Sequence, residues 1–168
     1  MGHIGLMVLG AAKAAGAAPL IAIDLKPERL EVARKMGANY TIDASKQDPI
    51  AEVVKITEAG ADIAFTVASF RATGILAQAF EMVRYHGRVM IVGSTGPATL
   101  DTGKWETKEV RVEGTVHMGE CNVIAMKLME NKRVDVTPTI TEVIPLAETQ
   151  RAFESLKDGT NLAVLLKP

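Results

Sequence analysis

Two glycines and one aspartate, at a fixed spacing, constrain this chain more than any other feature. Met1-Gly2-His3-Ile4-Gly5 holds the last two glycines of a G-x-G-x-x-G turn, and Asp24 follows Gly5 by 19 residues. That interval accommodates a helix, a short connection and a strand ending in an acid. A Gly-x-x-Gly turn alone would be an ordinary turn. The apolar run Leu20-Ile21-Ala22-Ile23 directly before Asp24 sharpens it, because it suits a strand buried on both faces. In such an arrangement Gly2 lets a pyrophosphate approach the helix N-terminus, and Gly5 lets helix and strand pack closely. Asp24 accepts hydrogen bonds from the adenosine ribose hydroxyls.

The rest of the chain continues the alternation. Residues 5–15 read as a helix stopped by Gly16. A second helix starts at Pro27, carries Leu30, Val32, Ala33 and Met36 on one side, and stops at Gly37. Residues 40–42 read as a strand, and a helix starts at Asp48-Pro49 with Ile50, Val53, Val54 and Ile56 inward. A strand over 62–67 precedes a helix over 72–83, whose Leu76, Phe80 and Val83 recur at helical spacing. A strand lies between Gly87 and Gly93, a Gly/Thr/Pro loop runs to about Lys104, and 110–115 forms another strand. The pattern predicts an α/β fold: a Rossmann-like, doubly wound parallel sheet lacking its first strand, since that strand and the first glycine would precede Met1. From Gly119 the alternation loosens into a helix (122–130), a strand (139–144), a helix (147–156) and a strand (162–166). The expected division is a truncated dinucleotide-binding domain over 1–118 and a C-terminal segment over 119–168.

Charge and cysteine content exclude several function classes. The chain has 19 basic and 20 acidic residues, a formal net charge of -1, with the signs interspersed. No basic block suits nucleic acid and no acidic tail suits an interaction arm. Cys121 is the only cysteine, so no internal disulfide can form and a reducing, cytoplasmic setting is expected. Cys121 and the scattered His3, His86 and His117 make no metal-ligand motif. The small-residue stretch 5–23 is interrupted by Gly10, Lys13, Gly16 and Pro19, and no basic residue precedes it, so neither a signal peptide nor a membrane span is expected.

The acid at position 24 also predicts which dinucleotide fits. A 2′-phosphate would meet like charge at Asp24, which favours NAD over NADP, although Arg29 could reach the same phosphate. A short-chain reductase would need Tyr-x-x-x-Lys, but Ala44 follows Tyr40 and Val89 follows Tyr85 at that spacing. A methyltransferase also uses a glycine turn and a strand-end acid, and stays open as an alternative.

Five segments, GHIGLM, IAIDLKPERLEVARKMGA, LAQAFEMVRYHGRVMIVGS, KEVRVEGT and AFESLKDGTNLAVLLKP, together resemble the C-terminal half of the zinc-dependent medium-chain dehydrogenases. Alcohol, polyol and threonine dehydrogenases are the nearest members, and the resemblance spans essentially all 168 residues in the family's order. It implies that the turn Gly2, His3, Ile4 and Gly5 faces the cofactor. Ile4, Val92, Thr115 and His117 match positions lining the nicotinamide, with Gly93 beside Val92. Leu25 and Ala68 match positions flanking the adenine and its ribose, and Arg29 matches a basic residue near that ribose. The region 95–115 includes the part through which family members pair their sheets into dimers.

The resemblance also exposes departures. Ala163 stands where a basic residue near the pyrophosphate is common, and Ser69 where glycine is usual. The N-terminal catalytic domain, which in the family supplies the zinc ligands and most of the substrate pocket, is absent. The expectation is therefore an NAD-binding portion with no catalytic and no metal-ligating residue of its own, zinc belonging only to the absent domain. It is expected to form a homo-oligomer through sheet edges or exposed apolar faces, offsetting the missing central strand. A non-catalytic nucleotide-binding or assembly module remains the alternative from another class.

Overall fold

A computed structural model of the chain describes residues 1–68, 72–93, 96–116, 119, 121–157, 159 and 161–168. In chain order its elements are α1 (His3–Ala14), β1 (Ile21–Asp24), α2 (Pro27–Met36), β2 (Tyr40–Asp43), α3 (Pro49–Thr57), β3 (Ala61–Thr66), α4 (Ile75–Met82), β4 (Val83–Ile91), α5 (Thr102–Lys108), β5 (Arg111–Gly114), α6 (Cys121–Glu130), β6 (Ile140–Pro145), α7 (Thr149–Ser155) and β7 (Ala163–Lys167). They form two compact units: Met1–Asp43 with Asn122–Pro168, and Ala44–Cys121. Every strand pairing is parallel, as the alternation of strands and helices requires.

In the first unit β1 pairs with β2 from Ile21↔Tyr40 to Asp24↔Asp43. The core beside them gathers Leu6 and Leu9 of α1, Leu20, Ala22 of β1, and Leu30, Ala33 and Met36 of α2. Small residues set the approach of α1: Gly5 and Gly10 are buried, and a Cβ on Gly10 would lie 3.0 Å from Val134 Cγ1. Helix α2 begins with Pro27, whose missing N–H has no intrahelical partner to lose, and carries Arg34 and Lys35 in its last turn, where the helix dipole favours cations. Lys13 Nζ reaches the Met36 carbonyl at 3.4 Å and so closes the same helix end. Strands β6 and β7 form a second parallel pair in this unit. Ile144 is buried there, whereas Val143, Leu146, Phe153 and Leu165 are exposed.

The second unit is built on the sheet β3-β4-β5. Its core holds Ala79, Phe80, Val83, Val89 and Val110. Phe80 meets Trp105 edge to face, with ring centroids 5.9 Å apart, and the Trp105 indole donates to the Val110 carbonyl at 2.7 Å. Lys108 Nζ donates to the carbonyls of Glu81 and Val83 at 3.0 and 3.1 Å, satisfying acceptors at the end of α4.

Several local expectations need correction. The helix expected over 72–83 starts only at Ile75, because Gly74 takes the left-handed conformation that caps it, and Val83 already belongs to β4. A period of three or four residues cannot mark where a helix yields to a strand when Val83 suits both. The Gly/Thr/Pro loop ends earlier than expected, at the start of α5, whose N-cap Asp101 accepts from Gly103 N and Lys104 N at 3.0 and 3.2 Å. Val54 is exposed rather than inward, and β3 exposes Ile63 and Phe65. No helix among the described residues is long and apolar enough to cross a membrane.

Candidate cofactor site

The glycine turn becomes the start of α1. Gly2 is its N-cap, in an extended conformation (φ -70°, ψ -174°), and its carbonyl accepts the first helical hydrogen bond from Leu6 N at 3.0 Å. A Cβ on Gly2 would meet nothing within 4 Å. The fold therefore does not require glycine there, and the open space is what an approaching phosphate would need. The first turn of α1 carries no acidic side chain, so its positive dipole end is not neutralised within the helix. His3 and Ile4 are exposed in that turn, Ile4 by 58%, and Gly5 is buried under it.

Asp24 closes β1, and the tertiary structure brings it to the same place. Its Oδ1 accepts from Lys26 N at 2.9 Å, while Oδ2 pairs with the Met1 ammonium and lies 3.6 Å from Arg29 Nη1. Contact with the residue preceding Gly2 places the strand-end acid beside the glycine turn. Leu25, next in the chain, is exposed. Arg29, in the first turn of α2, donates through Nη2 to the Gly159 carbonyl at 2.9 Å. The sequence offers no local signal for that last partner.

Opposing influences act on the Asp24 carboxyl. Burial pushes its pKa up, but the Met1 ammonium, the Lys26 amide and the Arg29 guanidinium outweigh it and hold the value below the ordinary 3.8. Because the folded-state value is depressed, the folded chain binds fewer protons than the unfolded chain at acid pH. The resulting stability is present above the unfolded value and is lost as pH falls through the folded one. The wild-type chain should thus be more stable than Asp24→Asn near pH 6, and the gap should close below pH 3.8. Paired thermal unfolding series against pH check this; a gap that stays constant with pH would refute the linkage.

The remaining expected positions lie in the second unit, at the carboxyl ends of parallel strands. Ala68 follows β3, Val92 and Gly93 follow β4, and Thr115 follows β5. Val92 N and Gly93 N both donate to the Thr66 carbonyl, at 3.0 and 3.1 Å, and Thr115 N donates to the Ile91 carbonyl at 3.0 Å. A Cβ on Gly93 would lie 2.8 Å from the Ala68 carbonyl oxygen, so close backbone approach demands glycine there. Strand carboxyl ends are where open α/β sheets bind ligands. His117 and Ser69 lie outside the described residues. Ala163 is the first residue of β7, opposite Ile140.

A model of the family described as "Zinc-binding dehydrogenase" matches residues 4–135. The chain belongs to the zinc-binding dehydrogenase family. Its relatives in this family include the L-threonine 3-dehydrogenase of Bacillus velezensis, 35% identical over 171 residues, which covers 99% of this chain and 49% of that protein. The sorbitol dehydrogenase of Bacillus subtilis is 34% identical over 173 residues, covering 100% of this chain and 48% of its own length. Among solved structures, the 2R,3R-butanediol dehydrogenase of Bacillus subtilis superimposes with a TM-score of 0.89 at 30% identity, covering 99% of this chain and 48% of that one. The chain thus spans about half the length of the curated relatives it matches. It corresponds to the C-terminal half of these zinc-dependent dehydrogenases, which is their Rossmann-type nucleotide-binding domain. Membership in the family implies a nicotinamide cofactor and removes the methyltransferase alternative.

Zinc, the other group the family implies, finds no holder in what is described. Among the described residues no three His, Cys, Asp or Glu side chains are grouped to hold a metal ion.

Proposed function

We propose that this chain is the NAD-binding half of a zinc-dependent alcohol or polyol dehydrogenase. The observation that carries the reading is that α1, begun by the glycine turn at Gly2, packs in one core with β1, which ends at Asp24. A helix N-terminus with an open glycine receives a pyrophosphate, and a strand-end carboxylate receives ribose hydroxyls. Asp24 repels a 2′-phosphate. Arg29, which could attract one, is already committed to Asp24 and to the Gly159 carbonyl. Both contacts favour NAD over NADP.

The family resemblance supports the roles of individual residues. Gly2, His3 and Gly5 present backbone to the pyrophosphate and Ile4 lines the nicotinamide, while Asp24, Leu25 and Arg29 hold the adenosine end. By the family resemblance Ala68 flanks the adenine and its ribose, and Val92, Gly93, Thr115 and His117 serve the nicotinamide end. Ala163 offers no charge where the family commonly has one, so the pyrophosphate relies on backbone dipoles and binding is weakened. The nicotinamide, when bound, supplies the hydride acceptor or donor. Substrate chemistry belongs to residues outside this chain.

Calorimetric titration of the chain with NADH, NADPH and S-adenosylmethionine tests the reading. NADH should bind measurably, NADPH more weakly, and S-adenosylmethionine not at all. Absence of NADH binding, or a preference for NADPH, would overturn it.

A further inference from the structure

We propose that Gly159, near the far end of the chain, is a positioning residue for the adenosine end of the cofactor, acting through Arg29. The inference rests on the dinucleotide-binding reading above. Arg29 is held between two acceptors: Nη1 lies 3.6 Å from Asp24 Oδ2, and Nη2 donates to the Gly159 carbonyl at 2.9 Å. Two partners on different nitrogens orient the plane of a guanidinium, which a single contact would leave free to turn. The third kind of donor, Nε, is buried and without a hydrogen-bond partner among the described residues. Nε is enclosed by the protein's own atoms, so the guanidinium is oriented through its two Nη nitrogens and bears on the cofactor through Asp24, whose carboxylate it faces.

Gly159 has two reasons to be glycine. Its φ of +68° is left-handed, and a Cβ there would lie 2.8 Å from Arg29 Nη2 and 3.4 Å from Lys26 Nζ. Any side chain would crowd the guanidinium against its own acceptor and displace it from Asp24. The acid of β1, the arginine of α2 and a glycine 130 residues beyond that arginine therefore act as one unit. Nothing in the glycine turn or in the spacing to Asp24 marks Gly159 for this role.

The test is a double-mutant cycle on the 168-residue chain with Gly159→Ala, Arg29→Ala and the two combined. NADH affinity is read by fluorescence titration, AMP affinity by competition, and the stability of the ligand-free chain by thermal unfolding. Gly159→Ala should weaken NADH and AMP alike by about tenfold, the scale of one lost hydrogen bond to a charged group. In the Arg29→Ala background the same substitution should change affinity by less than about twofold. Equal losses in both backgrounds would mean that Gly159 acts through loop stability alone and would overturn the proposal. So would an unchanged NADH affinity in Gly159→Ala. A wild-type chain that binds neither NADH nor AMP would overturn the dinucleotide-binding reading itself, a failure distinguishable because it appears before any substitution. If Gly159→Ala does not fold, Gly159→Asn enters the same cycle, since asparagine tolerates the left-handed region yet carries the same Cβ.

Discussion

Replacing Gly2 with valine should reduce NADH affinity about a hundredfold while leaving the chain folded. The expected separation of effects comes from the geometry at the start of α1. Gly2 occupies extended backbone that any residue can adopt, and a Cβ there meets nothing within 4 Å. The only intrinsic cost is a poorer N-cap, about 1 kcal/mol. The isopropyl group would instead stand at the open helix N-terminus, in the space through which, under the proposed function, a pyrophosphate approaches. A hundredfold loss corresponds to ~2.7 kcal/mol of binding energy. Fluorescence titration and thermal unfolding of the same samples separate the two effects. Undiminished NADH affinity in a folded Gly2→Val chain would remove the phosphate-binding role from the glycine turn.

Phe80→Ala should produce the largest loss of stability, about 3–5 kcal/mol. Phe80 is only 2% exposed and packs with Ala79, Val83, Val89 and Val110. Truncation removes apolar contact and leaves a cavity that Trp105, tethered through its indole to the Val110 carbonyl, cannot readily fill. The edge-to-face ring contact is lost as well. Against a total stability of ~5–15 kcal/mol for a domain of this size, such a loss approaches unfolding. Urea denaturation followed by tryptophan fluorescence measures it, because Trp105 is the only tryptophan. A shift under ~1 kcal/mol would show that the pocket collapses around the smaller side chain.

How much of this was legible in the sequence depends on how local each cause is. Helix α2 was readable from Pro27 at its start and Gly37 at its end, because both residues act through their own backbone dihedrals. Strand β1 was readable because four apolar residues before an acid have few alternatives. Helix α5 was not: it is seven residues long, contains Gly103, and holds through Asp101 and through Trp105 packing on Phe80. Its stability comes from tertiary contact rather than propensity. Val54 shows the reverse error, since apolar periodicity promises a buried face only where another layer covers it.

The candidate site divides in the same way. By itself the sequence determined that a glycine turn, a helix and a strand-end acid follow one another at the interval a dinucleotide requires. Chain connectivity and backbone dihedrals act over a few residues, so they can be read in order. Only the tertiary structure decided that Met1 reaches Asp24, that Arg29 is shared between Asp24 and Gly159, and that Gly2 faces open space. Those contacts join residues from 5 to 130 positions apart. Hydrogen bonds and close packing depend on distances in space that no local spacing encodes.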